Sequence, residues 1–296
     1  MPGDELSGEL VLLVNPAARG GRSLRALDPV VRRLQDAGRT VSVIVGTSAS
    51  DALTRACTAV AEGPGALVAF GGDGLVHLAV QAVAGTDVPL GIIPAGTGND
   101  IAHAFGVPGR DLVAAADVVA RGKPRAVDAA KINDEWFAGA VACGFDSRVN
   151  ERANAMTWPA GMARYILATA LELRSFTPIP FRITLDDQVI EREAMLVAIA
   201  NVPSYGAGMK VCPSARTDDG LLDVLILDAI PKGRFVRLFP SVYRGTHVGH
   251  EGVSIVKSAS VTVEAPDVIA YADGERIGPA PFTCVVEPGA LRVLTL

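Results

Sequence analysis

The feature that most constrains this chain is an alternation running from residue 9 to about residue 125. Short apolar runs that end at glycine- or proline-rich turns alternate there with segments of helical apolar spacing. ELVLLVNP (residues 9–16) is a continuous β-rich run stopping at a turn. SLRALDPVVRRLQDAG (23–38) follows, with Leu24, Leu27, Val30, Val31 and Leu34 at helical spacing, Ser23 as N-cap and Gly38 closing it. TVSVIVG reads as a second strand and SDALTRACTAVAEG as a second helix capped by Ser50. ALVAFGGDG is a third strand running into glycine, LVHLAVQAVAG a third helix, and VPLGIIPAGTGND a fourth strand with its loop. Strands that are apolar throughout suit a parallel sheet covered on both faces.

After about Pro124 the texture changes. KINDEWFAGAVACGF, PFRITLDDQVIEREAMLVAIANV, LLDVLILDAI, VSIVKSASVTVEA and PFTCVVEPGALRVLTL read as strands, with residues 186–188 turning a hairpin. The helical exception is PAGMARYILATALEL, residues 159–173. The expected fold is therefore an α/β domain over 1–127 and a β-rich domain over 128–296. Whether the last strand returns to the first domain stays open. A length of 296 residues favours two domains, and 49% hydrophobic residues are enough for two cores.

A net charge of -5 with interspersed signs excludes a basic nucleic-acid-binding stripe. The cysteines, Cys57, Cys143, Cys212 and Cys284, form no CxxC pair and are expected to be reduced core thiols. The opening MPGDELSGEL has no apolar h-region, and runs such as AMLVAIANV are too short for a bilayer, so the expectation is a soluble, cytoplasmic protein.

Three loops follow predicted strands of the first domain: NPAARGG (15–21), GGDGL (71–75) and PAGTGND (94–100). In an open α/β sheet, ligands bind beyond the carboxyl ends of strands, where these loops must lie. Glycine lets backbone approach a polyphosphate, and amides at a helix start favour an anion. Asp73 repels phosphate directly and makes sense with a divalent cation or water between them. Thr97 and Asn99 offer neutral contacts, and Arg19 and Arg22 offer positive charge. Ordinary tight turns are the plain alternative, and three of them at one sheet edge weigh against it.

A P-loop motif, HExxH and GxSxG are all absent. His247 and His250 lack a third metal ligand and read as a solvated loop. In SARTDDGLLDV (214–224), Asp218, Asp219 and Asp223 surround Gly220, which fits either a Mg²⁺ site or an Asp-Gly β-turn. YADGERIG (271–278), with Asp273 and Glu275, reads as a hairpin turn.

Together the motifs LLVNPAARGG, FGGDGL, PLGIIPAGTGNDIAHAFGVP, CPSARTDDGLLDV and DGE resemble the diacylglycerol kinase-like lipid kinases, the family of bacterial diacylglycerol kinases and sphingosine kinases. NAD kinases share GGDG, but the GTGND segment is more specific to the lipid kinases. The resemblance implies a nucleotide-binding α/β domain plus a sandwich-like domain, with the active site between them. It implies that Asn15, Thr47, Gly71, Gly72, Asp73, Gly74, Thr97 and Asn99 serve the nucleotide, and that Asp73 and Asp100 organise phosphate and Mg²⁺. Glu275 matches the family's acceptor of the hydroxyl proton. Asp219, with the carbonyls of Arg216 and Leu221, matches a Mg²⁺ site in the second domain, and Asp128 a further acidic position near the cleft. Leu75 departs from the family, which usually has threonine after GGDG.

The expected function is ATP- and Mg²⁺-dependent phosphorylation of a hydroxyl on diacylglycerol or a related lipid. The alternatives are a soluble-substrate kinase of NAD kinase type and a catalytically weak lipid-binding relative. The lipid substrate implies peripheral association with the inner face of the cell membrane, and a homodimer stays open. Residues 154–176, with Met156, Trp158, Met162 and Tyr165, are expected either to line the lipid entrance or to pack as a core helix.

Overall fold

The computed structural model describes residues 8–14, 22–109, 111–159 and 161–296. Asn15 and Arg19 lie outside the described residues, as does the side chain of Arg22.

The alternation in the first part folds as β1 (Leu10–Val14), α1 (Arg22–Asp36), β2 (Val41–Val45), α2 (Ala49–Ala61), β3 (Ala66–Gly71), α3 (Asp73–Val83), β4 (Leu90–Pro94), α4 (Asp100–Ala104) and α5 (Leu112–Arg121). The strands run parallel in the order β4-β3-β1-β2, with Leu12 beside Val68 and Ala69 beside Ile92. β1, β3 and β4 are buried along their whole length, which is why their sequences do not alternate. Two helix starts differ in detail from the sequence reading. Ser48, not Ser50, caps α2, because its hydroxyl accepts the Asp51 amide at 3.1 Å. α1 begins at Arg22, so Ser23 lies inside the helix.

The second part holds β5 (Lys123–Ile132), β6 (Glu135–Phe137), β7 (Ala140–Gly144), α6 (Phe145–Ala155), α7 (Met162–Ser175), β8 (Ile179–Thr184), β9 (Val189–Ala200), β10 (Leu222–Asp228), α8 (Lys232–Val242), β11 (Val253–Ser258), β12 (Ser260–Glu264), β13 (Ile269–Ala272), β14 (Glu275–Pro279) and β15 (Phe282–Thr295). β8 and β9 pair antiparallel across the expected hairpin, Leu185 N–H donating to Gln188 O at 2.8 Å. Two helices of this part, α6 and α8, depart from the sequence reading, as do α4 and α5 in the first part. α6 is mostly polar and buries only Phe145, Ser147, Val149 and Ala153, while α8 carries Pro240, a residue that argues against helix.

β15 pairs antiparallel with β5 from Cys284–Ile132 to Thr295–Lys123 and also meets β4 in parallel at Val293–Leu90. One hydrogen-bonded sheet therefore runs through both parts, over two separate apolar cores. Cys143, Cys212 and Cys284 are buried free thiols, and burial pushes Cys143 up to about 12. Cys57 is a correction: it lies exposed on α2, whose core-facing positions are Ala52, Ala56 and Val60.

Candidate active site

The parallel pairing sets Gly71 beside Pro94, so the loops leaving β3 and β4 emerge side by side. They touch: a Cβ on Gly96 would stand 2.5 Å from Gly72 Cα. Only glycine allows that approach. The turn after β3 opens α3 directly, with Gly72 O accepting the amides of Leu75 at 3.0 Å and Val76 at 3.1 Å. Asn99 adopts a left-handed φ of 58° and closes the second loop, its Oδ1 accepting the Gly96 amide at 2.9 Å.

Two carboxylates meet at these loops. Asp73 accepts the backbone amides of Asn99 at 2.8 Å and Ile101 at 3.3 Å. Asp100 accepts those of Ala207 at 2.7 Å and Gly208 at 2.8 Å, from a loop of the second part. A Cβ on Gly98 would lie 3.0 Å from Asp73 Oδ2 and 3.2 Å from Asp100 Oδ2, so both acids flank one residue. Burial and then the neighbouring Asp100 raise the Asp73 carboxyl above its ordinary value. Neither acid has a Lys, Arg or His partner among the described residues.

The β13–β14 turn brings the third acid. Asp273, at φ 51°, and Gly274, at φ 90°, reverse the chain. The Asp273 side chain is fully buried and accepts the amides of Ala138, Gly139 and Ala140 at 2.9–3.1 Å. Glu275 is exposed, and a Cβ on Gly74 would stand 2.8 Å from its Oε1. The proton-accepting candidate thus rests directly on the glycine loop.

Of the other expected site residues, Gly71, Gly72 and the exposed Thr97 lie at the same rim. Thr47 lies at the carboxyl end of β2, and its amide and hydroxyl are committed to Asp51 at 2.8 and 3.1 Å. Leu75 turns inward, is 8% exposed and packs over Gly71, where an added Cβ would meet Leu75 Cδ2 at 2.6 Å. Its side chain belongs to the core, a burial worth roughly 1.5–3 kcal/mol.

The second-domain loop is built differently. Asp128 is buried and accepts the amides of Gly220 at 2.7 Å and Gly289 at 2.9 Å, tying that loop to β15. Asp219 accepts the Leu221 amide at 3.2 Å and the Lys257 ammonium at 2.6 Å. Lys257 also lies 3.3 Å from the buried Asp223; the pair is an ion pair by distance, but the geometry leaves Asp223 Oδ2 without a directed hydrogen bond. Arg216 turns its guanidinium to Asp218 at 3.1 Å. Here the charge of Asp219 is met by Lys257, which a divalent cation held by Asp219 and the carbonyls of Arg216 and Leu221 would have to displace. His247 is likewise not on a solvated loop: it is buried, with Nε2 2.9 Å from Val211 O.

Residues 9–132 match the diacylglycerol kinase catalytic domain, and residues 139–295 match the YegS C-terminal NAD kinase beta sandwich-like domain. A diacylglycerol kinase of Mycobacterium tuberculosis is 42% identical over 293 residues, covering 97% of this chain and 95% of the relative. The chain belongs to the diacylglycerol kinase family. The diacylglycerol kinase of Bacillus subtilis is 29% identical, with 91% of this chain and 90% of the relative covered. Among solved structures, a diacylglycerol kinase of Bacillus anthracis shares the fold at a TM-score of 0.75 and 23% identity, covering 98% and 97% of the two chains. An NAD kinase of Archaeoglobus fulgidus in complex with ATP shares it at 0.52 and 12%, covering 96% and 92%. Family membership makes this a lipid kinase and ATP the implied phosphoryl donor. Among the described residues, no helix is long and apolar enough to cross a membrane.

Several residues of this kinase escaped the sequence reading. Ala207 and Gly208, which hold Asp100, sit in a loop with φ 63° and 94°, and only its glycines hinted at it. Asn201 is fully buried and donates to the carbonyls of Asp128 at 2.8 Å and Ala138 at 3.0 Å. His77 bridges Asp273 and Glu135. A signal for His77 was present: Asp73, His77 and Gln81 recur every fourth residue along an otherwise apolar helix, and so share a face.

Proposed function

We propose that this lipid kinase transfers the terminal phosphoryl group of ATP to the free hydroxyl of diacylglycerol at a membrane surface, with Mg²⁺ required. The observation that carries this reading is the contact of Glu275 with Gly74, since it sets a proton acceptor against the loop suited to phosphate. The amides of residues 71–74 and the Thr97 hydroxyl would hold the phosphates, with Thr47 and Asn15 as further nucleotide contacts. Asp73 and Asp100 suit a divalent cation, because two mutually repelling carboxylates with no cationic partner among the described residues form a donor set of the right hardness. A cation there would supply neutralisation of the phosphate charge. Glu275, exposed on its turn, would orient the lipid hydroxyl in line and take its proton as the new P–O bond forms. Residues 1–127 would act as the nucleotide domain and 128–296 as the lipid domain.

On the side of the lipid's apolar part the second core holds a small cavity of about 60 Å³, lined among others by Leu196, Leu225, Leu227, Phe235, Phe239 and Val242, which would have to widen to take an acyl chain. Asp146 and Tyr205 are hydrogen-bonded to each other at its wall, and apolar surroundings push the Asp146 carboxyl up. The segment from Tyr205 to Met209 joins this cavity to the phosphate side: its ends line the cavity while its middle holds Asp100. Trp158, 77% exposed, and the exposed Tyr165 and Ile166 of the following helix would suit contact with a membrane interface.

The direct test is radiolabelled ATP with a panel of lipids in mixed micelles, with and without Mg²⁺. Label in phosphatidic acid only when diacylglycerol and Mg²⁺ are both present is the expected result. Label passing to a soluble nucleotide acceptor instead, without lipid, would overturn it.

A further inference from the structure

We propose that His77 is a positioning residue for Glu275: it donates on two sides, to Asp273 and to Glu135, and so fixes the β13–β14 turn against the helix that carries the glycine loop. This inference rests on the lipid kinase reading of the cleft.

His77 lies one turn after Asp73 on α3, so the residue at the phosphate rim and the imidazole belong to one rigid element. The ring is 4% exposed. Its Nδ1 lies 3.2 Å from Asp273 Oδ2 and its Nε2 3.0 Å from Glu135 Oε1. Asp273 is held on its other sides by the backbone amides of Ala138, Gly139 and Ala140, at the entry to β7, so it is the fixed root of the turn. Glu275, two residues on, gains its place over Gly74 from that root. Without His77, α3 and the turn would share no side-chain hydrogen bond at Asp273, and the distance between glycine loop and proton acceptor would be set by packing alone.

The two partners are both carboxylates, so a ring that donates to both carries two protons. Burial opposes that charge, but Asp273 and then Glu135 outweigh it and push His77 up to about 9. The remaining neighbour, Gln81, is anchored by Trp136, its Nε2 donating to the carbonyl at 2.6 Å and its Oε1 accepting the amide at 2.9 Å. Its amide nitrogen lies 3.3 Å from both His77 Nε2 and the His77 carbonyl; the second hydrogen, given to the carbonyl, leaves Nε2 free to donate to Glu135. Asp73 faces the loop, and among the described residues no other titratable side chain is in hydrogen-bond or ion-pair contact with the ring. Because the folded value lies above the ordinary 6.5, the clamp is complete below that pH and is lost as pH rises through about 9.

The test compares wild type, His77→Gln and Glu135→Gln in the full chain, using ATP and diacylglycerol in mixed micelles across the alkaline range. His77→Gln, neutral and able to reach one carboxylate only, is expected to lower kcat roughly 10–100-fold with KM for ATP changed less than about twofold. Wild-type kcat should fall as pH passes about 9. That limb should vanish in His77→Gln and move to lower pH in Glu135→Gln, which removes one anionic partner. Should His77→Gln fail to fold, the displaced limb of Glu135→Gln decides alone. A kcat for folded His77→Gln within about twofold of wild type, or an identical alkaline limb in wild type and Glu135→Gln, would overturn the proposal. A wild-type chain that phosphorylates no lipid at any pH would instead remove the kinase reading, and this inference with it.

Discussion

Two loops of this kinase are written in the same letters and behave in opposite ways. The rim around GGDG and GTGND and the second-domain loop TDDG both combine glycine with closely spaced aspartates. At the rim, Asp73 and Asp100 are hydrogen-bonded only to backbone amides among the described residues, and each lies within reach of the other's charge. In the second loop, Lys257 sits between Asp219 and Asp223, and Arg216 meets Asp218. Among the described residues the second arrangement is balanced by the chain's own cations and the first is not. Aspartate next to glycine therefore says less about a site than the charges around it do.

Substitutions sharpen the contrast. The largest effect is expected at the rim: Asp73→Asn and Glu275→Gln should each lower kcat by roughly 10²–10⁴-fold while thermal melts stay close to wild type. Near-normal turnover in both would break the distinction. Gly74→Ala comes next, because its Cβ would press 2.8 Å from Glu275 Oε1. The flexible acid can give way, so kcat in the mixed-micelle assay should fall roughly tenfold, without loss of fold.

In the second loop the effect should reverse. Lys257→Met strands the buried Asp223 and should cost about 1–3 kcal/mol by urea unfolding, with turnover within about twofold. A collapse of activity at unchanged stability would move that loop into the machinery. The smallest effect is a shift in melting temperature of a few degrees with Mg²⁺, expected in wild type and absent in Asp73→Asn. Since burial and Asp100 raise the Asp73 carboxyl, ionising it costs the metal-free fold stability as pH rises through that raised value. A bound cation offsets that cost, so the Mg²⁺ shift should shrink as pH falls and protons compete.

Much of this was legible in the sequence where local chemistry and global fold agree. The fully apolar runs gave the parallel strands, and glycines following them marked the rim, because backbone approach between Gly72 and Gly96 admits nothing larger. α6 and α8 were hidden because their packing faces are narrow, and in α8 Pro240 obscured the helical pattern. Ser48 displaced Ser50 as cap by one hydrogen bond that spacing alone could not choose. Lys257 lies on β11, far along the chain from Asp219, so its ion pair follows from β10–β11 register rather than from any motif. Leu75, which breaks the family pattern on paper, is accommodated by core packing over Gly71.

The most direct measurement is a crystal structure with Mg²⁺ and a non-hydrolysable ATP analogue. Phosphates seated on the amides of residues 71–74, with the metal between Asp73 and Asp100 and the terminal group facing Glu275, are expected. A triphosphate lodged away from that rim, with Asp73 and Asp100 still held only by backbone amides, would contradict it.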